Sequence, residues 1–381
     1  GGQKVELNVE SDWTRHDVWD ALEIPLQEGV LDRLLHGEEE VTSTLADAGV
    51  CEGSSLTVVR CLLELTLVTA TGSGDVELWD PSTGQALRKY CVVDLDQNGQ
   101  PMDPMNCEVH VAVLTRDGTH LVVSSSTCSL TMWSLSSGQI DRRFRGHTDR
   151  ISALDLSEDG DLFLSASCDG TAKVWELLSG KCISSCLHED ANDAVGRISS
   201  CRFTSDMNHF VTACEDLPSV IFWTVDEGTE VRRVTHADRM FRCWSTEFSP
   251  DLTKMVGATC LGVGLWCNVT GAKLQGFAGH QEDATCARFS PNGNYILTSG
   301  FDRNIHMYEC QTGRLLRKLE GHTNTVWHAE FSCRELEIAS ASTDGQVKIW
   351  DVRTGQTLHT LQAAGDLTQA RYCWRLTDVR Q

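Results

Sequence analysis

Serine, histidine and aspartate, which together can activate a nucleophile, recur along the chain in two similar sets. These are His147, Ser167 and Asp169, and His322, Ser342 and Asp344. In a hydrolase, the imidazole would accept the proton of the serine hydroxyl while the carboxylate orients the imidazole. No nucleophile elbow or oxyanion-binding motif accompanies either set. We therefore predict no catalytic residue, and a protein that is not an enzyme.

Cysteine and histidine are the candidate metal ligands. Their one local cluster is Cys182, Cys186 and His188, which lacks a fourth ligand and a turn that would bring the three side chains together. The 17 cysteines include no Cys-x-x-Cys pair, and most of them stand singly in apolar runs, as small buried hydrophobic residues do. We expect no metal site and no cofactor, and reduced thiols in a cytoplasmic protein. The chain starts at Gly1 rather than at methionine, which leaves targeting to an organelle open.

The formal net charge of −22 limits the classes of partner. Because nucleic-acid binding needs clustered Lys and Arg, this charge argues against a nucleic-acid partner and favours proteins with neutral or basic surfaces. The chain has no run of about 18 apolar residues, so we expect no membrane insertion. It also lacks a phosphate-binding loop, and we expect no small-molecule substrate.

An internal repeat organises most of the chain. An apolar run ending in an aromatic residue recurs seven times, at Trp79, Trp133, Trp175, Trp223, Trp266, Tyr308 and Trp350. Four of the six spacings between these anchors are 42 or 43 residues, within the period of about 40–45 residues of a propeller blade. A glycine follows each anchor at nearly constant distance, at Gly84, Gly138, Gly180, Gly228, Gly271, Gly313 and Gly355. Glycine permits the positive φ of a tight turn between strands, so the two markers together predict seven blades.

Two blocks carry a family resemblance, GHTDRISALDLSEDGDLFLSASCDGTAKVWE and GHTNTVWHAEFSCRELEIASASTDGQVKIWD. They resemble WD repeats of the β-transducin superfamily, and the likeness covers residues 64 to about 376. It implies an all-β, seven-bladed propeller with four antiparallel strands, a to d, in each blade around a central channel. It also implies that the recurring Ser, His and Asp are structural, since the family joins a loop His, a strand Ser or Thr, a turn Asp and the strand-c Trp in a tetrad.

The tetrad carries over most fully onto blades 3 and 7. Its members there are expected to be His147, Ser167, Asp169 and Trp175, and His322, Ser342, Asp344 and Trp350. The other blades depart from the pattern. Blade 6 has His280 and Asp302 but Tyr308 for Trp, and the Asp position holds Cys260 in blade 5, Thr127 in blade 2 and Ser73 in blade 1.

The two ends of the repeat region have separate predictions. An open ring would expose two sheet edges, so the termini are expected to share a blade. The segment after the last blade aligns with strand a of blade 6, and we predict that residues 367–375 supply strand a of blade 1 within a propeller spanning 63–376.

Residues 1–62 carry no repeat marker. Their order of a strand at residues 4–10, a helix within residues 11–22, a short strand with Gly, a turn segment and the final strand SLTVVR resembles a small α+β ubiquitin-like (β-grasp) domain, although its first strand is missing ahead of Lys4. The alternative is an irregular extension packed on the propeller.

Enlarged loops mark the expected contact surface. The loop His lies ten residues before the end of strand a in blades 3, 6 and 7, but 13 in blade 5 and 16 in blade 4, and a longer insertion separates blades 1 and 2. Loops that exceed the repeat's minimum tend to carry function. The residues expected to bind partners are Glu189 and Asp190 in blade 4, Arg239, Met240, Phe241 and Arg242 in blade 5, and Trp327 in blade 7.

Two functions follow from this organisation. The first is a non-catalytic protein–protein interaction scaffold, a subunit or adaptor of a larger assembly. The alternative is a substrate receptor of a cullin-RING ubiquitin ligase, because Trp350, Asp351 and Arg353 match the WDxR box of propellers with that role.

Overall fold

The structure, a computed structural model, describes residues 30–36, 39–40, 56–72, 74–91, 109–115, 117–125, 127–157, 159–190, 194–217, 219–235, 243–259, 262–363 and 367–376. Within these ranges, it describes only the backbone of residues up to 64, 243–244, 368 and 372–376. Every named element in them is a β-strand, and they contain no helix long and apolar enough to cross a bilayer.

Six of the blades are four-stranded antiparallel sheets of consecutive strands. Blade 2 comprises β6 (Val109–Leu114), β7 (His120–Ser125), β8 (Leu130–Ser134) and β9 (Ile140–Phe144). Blade 3 comprises β10 (Ile151–Leu156), β11 (Leu162–Ser167), β12 (Thr171–Glu176) and β13 (Cys182–Leu187). Blade 4 comprises β14 (Ile198–Phe203), β15 (His209–Cys214), β16 (Ser219–Thr224) and β17 (Glu230–Thr235).

Blades 5 to 7 repeat this order. Blade 5 comprises β18 (Cys243–Phe248), β19 (Lys254–Thr259), β20 (Gly262–Cys267) and β21 (Lys273–Phe277). Blade 6 comprises β22 (Ala284–Phe289), β23 (Tyr295–Gly300), β24 (Ile305–Glu309) and β25 (Leu315–Leu319). Blade 7 comprises β26 (Val326–Phe331), β27 (Glu337–Ser342), β28 (Gln346–Asp351) and β29 (Thr357–Gln362).

Strand β3 pairs with neighbouring strands and with the C-terminal strand of the chain. Blade 1 contains the C-terminal part of β3 (Leu56–Thr71), β4 (Asp75–Asp80) and β5 (Gln85–Cys91), and β30 (Leu367–Leu376) also pairs with β3. This is the segment predicted as strand a of blade 1. The N-terminal part of β3 pairs with β1 (Val30–His36), which pairs with β2 (Glu39–Glu40).

Contacts divide the chain into two compact units, one of residues 66–373 and one of residues 1–65 with 374–381. The predicted strand at residues 4–10 and the predicted helix lie outside the described residues, so the ubiquitin-like domain stays a prediction.

Burial explains the order of the strands within a blade. Strand b is buried along nearly its whole length, as in β11 and β15, because neighbouring blades cover both of its faces. The outer strand d is largely exposed, as in β13 and β21. The turn from strand c to d needs positive φ, and all seven predicted marker glycines have φ between 66° and 74°.

In the part of the chain that the structure describes, seven hydrophobic clusters fill the spaces between neighbouring blades, one for each of the seven junctions. The cluster between blades 7 and 1 joins Ile349 of β28 to Trp79 of β4 and to Leu367 and Ala370 of β30. Each blade is therefore packed against two neighbours, which cover both faces of its sheet.

Candidate functional site

The serine and histidine of blade 3 form a buried network. His147, from the loop between β9 and β10, places Nε2 2.8 Å from Ser165 Oγ and Nδ1 3.1 Å from Asp169 Oδ2. The indole N–H of Trp175 donates to the same Ser165 oxygen at 2.8 Å. Asp169 also accepts the backbone N–H of Thr148. Blade 7 has the same geometry, with the hydroxyl of Ser340 between His322 and Trp350, both at 2.8 Å.

The prediction of Ser167 and Ser342 as tetrad members is therefore wrong. Ser167 donates to the backbone carbonyl of Asp149 and accepts the N–H of Asp169, so it holds the turn rather than the histidine. Ser342 does the same with Asn324 and Asp344. In both blades, the predicted serine lies two residues after the correct one on strand b, and residues two apart lie on the same face of a strand. Spacing does not separate the two hydroxyls within these blades, because Ser165 and Ser340 each precede their Trp by ten positions and Ser167 and Ser342 each precede it by eight.

Two further blades carry variants of the network. In blade 6, His280 contacts Thr298 Oγ1 at 2.8 Å and Asp302 Oδ1 at 2.9 Å, while the Tyr308 hydroxyl donates to the carbonyl of Ala278. In blade 4, His188 contacts Thr212 Oγ1 and Ser219 Oγ, each at 2.9 Å, and Trp223 donates to Thr212. Ser219 takes the place of the turn aspartate at the histidine, and Asp216 accepts the N–H of Arg197.

These networks leave little capacity for nucleophilic chemistry. Both nitrogens of His322 have partners, and Ser340 is fully buried and already accepts the indole N–H of Trp350. Burial lowers the pKa of His322 even though Asp344 favours its charged form. Burial opposes ionisation of Asp344, but the Thr323 N–H and His322 outweigh it and hold the pKa of the carboxyl below its usual value. A neutral imidazole and an ionised carboxylate are thus fixed as structural partners.

Neither candidate metal cluster has suitable geometry. His280, Asp302 and His306 bring three ligand atoms within 4.8 Å of one another. The two imidazole rings are stacked, however, with centroids 4.1 Å apart and planes 19° apart. An ion about 2 Å from each nitrogen must lie near both ring planes, which stacked rings do not allow. In the cluster of Cys182, Cys186 and His188, both histidine nitrogens are bonded to hydroxyls of blade 4.

A belt of charge joins the innermost strands. The fifth residue of strand a alternates in sign from blade 3 round to blade 1, as Asp155, Arg202, Glu247, Arg288, Glu330 and Arg371. Blade 2 has the neutral Val113 at this position. In a closed ring of seven positions, strict alternation of charge would place two like charges side by side. Because Val113 is neutral, none of the six charged residues has a neighbour of its own sign.

The belt satisfies backbone groups at the inner edge of the next blade. Asp155 accepts the N–H of Phe203 at 2.8 Å, and Glu247 accepts the N–H of Phe289 at 2.6 Å. Arg202 donates to the carbonyl of Phe248 at 3.2 Å. These bonds occupy edge groups that would otherwise be open to pairing. Sequence reasoning missed the belt, which appears once the seven a strands are aligned on their first residue.

The predicted partner-binding residues divide into two groups. Glu189 and Asp190 are half-buried in the loop between β13 and β14. Trp327, in β26, is half-buried and packs edge-on against Phe301 with ring centroids 5.5 Å apart. The structure therefore does not bring Glu189 and Trp327 onto adjacent blades. Arg239, Met240, Phe241 and Arg242 lie outside the described residues.

The carboxylate of the WDxR match has a local role. Asp351 accepts the N–H and the hydroxyl of Thr354 in the turn from β28 to β29, at 2.5 and 2.7 Å. Asp80 makes equivalent bonds to Ser82 and Thr83 in blade 1, where no arginine follows. Asp351 is thus accounted for as a turn residue, and Arg353 is exposed.

Comparison with known proteins agrees with this architecture. The family model for the WD domain, G-beta repeat, matches residues 138–176, 271–309 and 313–351. Each match runs from strand d of one blade through strands a to c of the next, and ends in blade 3, 6 or 7. A crystal structure of the computationally designed Ika8 protein has a TM-score of 0.57 and 25% identity, and the alignment covers 79% of this chain and 85% of that one.

Curated relatives share part of the chain. Autophagy-related protein 16 of Arabidopsis thaliana is 26% identical over 65% of this chain and 36% of its own length. Pre-mRNA-processing factor 19 of Oryza sativa is 28% identical over 44% of this chain and 31% of its own length. U3 small nucleolar RNA-associated protein 15 homolog of Xenopus laevis is 25% identical over 50% of this chain and 36% of its own length. The chain thus spans about a third of each of these proteins. It carries WD40 repeats, folded as a seven-bladed β-propeller.

Proposed function

We propose that the protein is a non-catalytic scaffold that holds other proteins together in a larger assembly. The observation that carries this proposal is the way in which the Ser, His and Asp of the repeats are used. In blades 3 and 7, the hydroxyl that a hydrolase would use as nucleophile is buried and accepts the N–H of a tryptophan. The groups best suited to chemistry are therefore part of the framework.

The relatives support the same role. Their names refer to autophagy, pre-mRNA processing and U3 small nucleolar RNA, three different settings. A fold that recurs across such settings suits a common capacity to bind proteins better than a common reaction. The net charge of −22 favours partners with neutral or basic surfaces. The loops of blades 4 and 5, with Glu189, Asp190 and residues 239–242, and Trp327 of blade 7 are the proposed contact regions.

Affinity purification of the tagged full chain from cells, followed by quantitative mass spectrometry and size-exclusion chromatography, tests the proposal. A scaffold should elute with partners in constant ratio, at a mass well above that of the single chain. Replacing Arg239, Phe241 and Arg242 together by alanine should reduce partner recovery without lowering the melting temperature. A chain that elutes alone under all conditions would contradict the proposal. Recovery of cullin adaptors that is lost with Arg353→Ala would favour the substrate-receptor alternative.

A further inference from the structure

The loop between blades 3 and 4 presents an apolar patch on the surface. The patch consists of Leu187 at the end of β13, Val195 in the loop, and Leu217 in the turn from β15 to β16. Leu187 is 41% exposed and Val195 is 49% exposed, while Leu217 is partly buried against the core between the two blades. We call these three residues the blade 3–4 patch.

The three side chains are held together by glycine backbone. A Cβ at Gly170 would collide with Cγ1 of Val195 and would lie 3.5 Å from Cδ1 of Leu187, so both side chains rest on this glycine. A Cβ at Gly196 would likewise collide with Cδ1 of Leu217. Leu187 and Val195 therefore lie together over Gly170, and Leu217 lies beside the next residue of the loop, Gly196.

Backbone bonds fix the loop that carries Val195. Glu189 and Val195 form an antiparallel bridge, and the N–H of Asp190 donates to the carbonyl of Ala194 at 2.9 Å. The N–H of Gly196 donates to the carbonyl of His188, whose side chain is anchored in the blade 4 network. These bonds hold the backbone at Val195 and Gly196 against the end of β13, and such preorganisation lowers the entropic cost of binding.

Leu187 is not a feature of the repeat. It pairs with Thr171, the first residue of strand c. The equivalent residue of strand d is Cys91 in blade 1, Thr235 in blade 4 and Gln362 in blade 7. By contrast, the exposed residues Ile183, Val231, Leu274 and Leu358 recur at the second position of strand d, so they belong to the repeat. Leu187 is thus an aliphatic residue where these three blades have Cys, Thr or Gln, and it lies directly before the enlarged loop.

Carboxylates lie on the two segments that carry Val195 and Leu217. Glu189 and Asp190 lie on the loop, and Glu215 and Asp216 lie in the turn that carries Leu217. Among the nearby guanidinium groups, Arg197 contacts Glu215 at 3.5 Å, and Arg233 contacts Glu230 at 2.6 Å and also donates to the carbonyl of Glu189. The rim therefore has an excess of negative charge around an apolar centre.

We propose that the blade 3–4 patch binds a basic segment of a partner protein, with apolar side chains that cover Leu187 and Val195 and with Lys or Arg that face the carboxylate rim. The proposal rests on the scaffold function and assigns one of its contact surfaces. An apolar centre with a charged rim is the usual anatomy of a protein interface, and the sign of this rim selects a basic partner.

Selection from a phage library of random 12-residue peptides tests the proposal on the full chain. The enriched peptides should combine apolar residues with Lys or Arg. In fluorescence anisotropy, a synthetic enriched peptide should bind about tenfold more weakly to the Leu187→Ser/Val195→Ser variant. Its affinity should also fall with rising salt concentration and with Glu189→Gln/Asp190→Asn. The variant Val269→Ser/Leu336→Ser removes two other exposed aliphatic residues and should bind as the wild type does.

Three outcomes would overturn the proposal: an acidic consensus, affinity unaffected by the Leu187→Ser/Val195→Ser change, or no enriched peptide. Thermal unfolding of each variant separates loss of the surface from loss of the fold, because both replaced side chains are exposed. Co-purification distinguishes this proposal from the scaffold function. If the Leu187→Ser/Val195→Ser variant keeps every cellular partner, the scaffold stands and this surface does not.

Discussion

The side-chain carbonyl of Gln369 accepts the backbone N–H of Ala112 at 3.0 Å, across 257 residues of sequence. Gln369 lies in β30, the last strand of the chain, and Ala112 lies in the first strand of blade 2. The bond therefore joins the C-terminal strand to a blade from the N-terminal half of the ring. It lies next to the cluster in which Leu367 and Ala370 pack between blades 7 and 1.

Deleting residues 364–381 should unfold the whole propeller. Removal of β30 exposes one edge of β3 and uncovers the cluster between blades 7 and 1. Native proteins have only about 5–15 kcal/mol of stability, and an open ring would lose much of it. Thermal unfolding followed by circular dichroism should show loss of the cooperative transition. Deletion of residues 377–381, which follow β30, is the matched control. A form without β30 that melts at the parent temperature would refute this prediction.

Gln369→Ala should lower the free energy of unfolding by about 1–3 kcal/mol, because it leaves the N–H of Ala112 buried without its acceptor. Urea unfolding monitored by tryptophan fluorescence measures the change. Gln362→Ala is the control, since Gln362 is an exposed residue that donates to the carbonyl of Gly345. Equal losses of unfolding free energy for the two substitutions would show that the Gln369 bond stabilises the propeller no more than an exposed bond does.

The sequence predicted the number of blades, but it did not show which serine of strand b belongs to the tetrad. Seven aromatic anchors and seven glycines predicted seven blades, because turn chemistry and strand period are local properties. Ser165 and Ser167 could not be told apart by type or by face, since both are buried in β11. The choice between them depends on which hydroxyl His147 and Trp175 reach, and that is a tertiary relationship. The blade 3–4 patch was missed for the same reason, because the fold places the side chains of Leu187 and Val195 together over Gly170.

Ser165→Ala should destabilise the protein more than Ser167→Ala. Ser165 serves two buried groups, the indole N–H of Trp175 and Nε2 of His147, and its loss should cost about 2–4 kcal/mol. Ser167 serves only backbone groups of a surface turn, so we expect about 1–2 kcal/mol. Ser340→Ala and Ser342→Ala form the matched pair in blade 7. Chemical denaturation measures all four, and the reverse order in both blades would contradict the assignment.

Glu247→Arg should be more harmful than Glu247→Gln. The arginine would place three cations in succession in the belt and leave the N–H of Phe289 without its carboxylate, for a loss of about 2–4 kcal/mol. Glutamine keeps an acceptor for that N–H. The double variant Glu247→Arg/Arg288→Glu retains a local pair, but it sets the introduced arginine beside Arg202 and the introduced glutamate beside Glu330. It should therefore recover less than half of the lost stability. Full recovery in urea unfolding would show that only the pair matters, not the alternation.

The buried histidines should make the propeller lose stability as the pH falls below neutral. Burial, with a smaller contribution from Arg233, lowers the pKa of His188 to about 3 from an ordinary value of 6.5. Between these two pH values, the unfolded chain binds a proton at His188 and the folded chain does not. The contribution of neutral His188 to the free energy of unfolding is therefore fully present above pH 6.5 and is lost progressively towards pH 3. The decline should be about 1 kcal/mol per pH unit for His188 alone. His306 and His328, whose pKa values burial also lowers, act in the same direction. In His188→Gln, which cannot take up this proton, the slope of unfolding free energy between pH 6 and about 4 should be shallower by one proton. An unchanged slope would mean that His188 is protonated in the folded propeller.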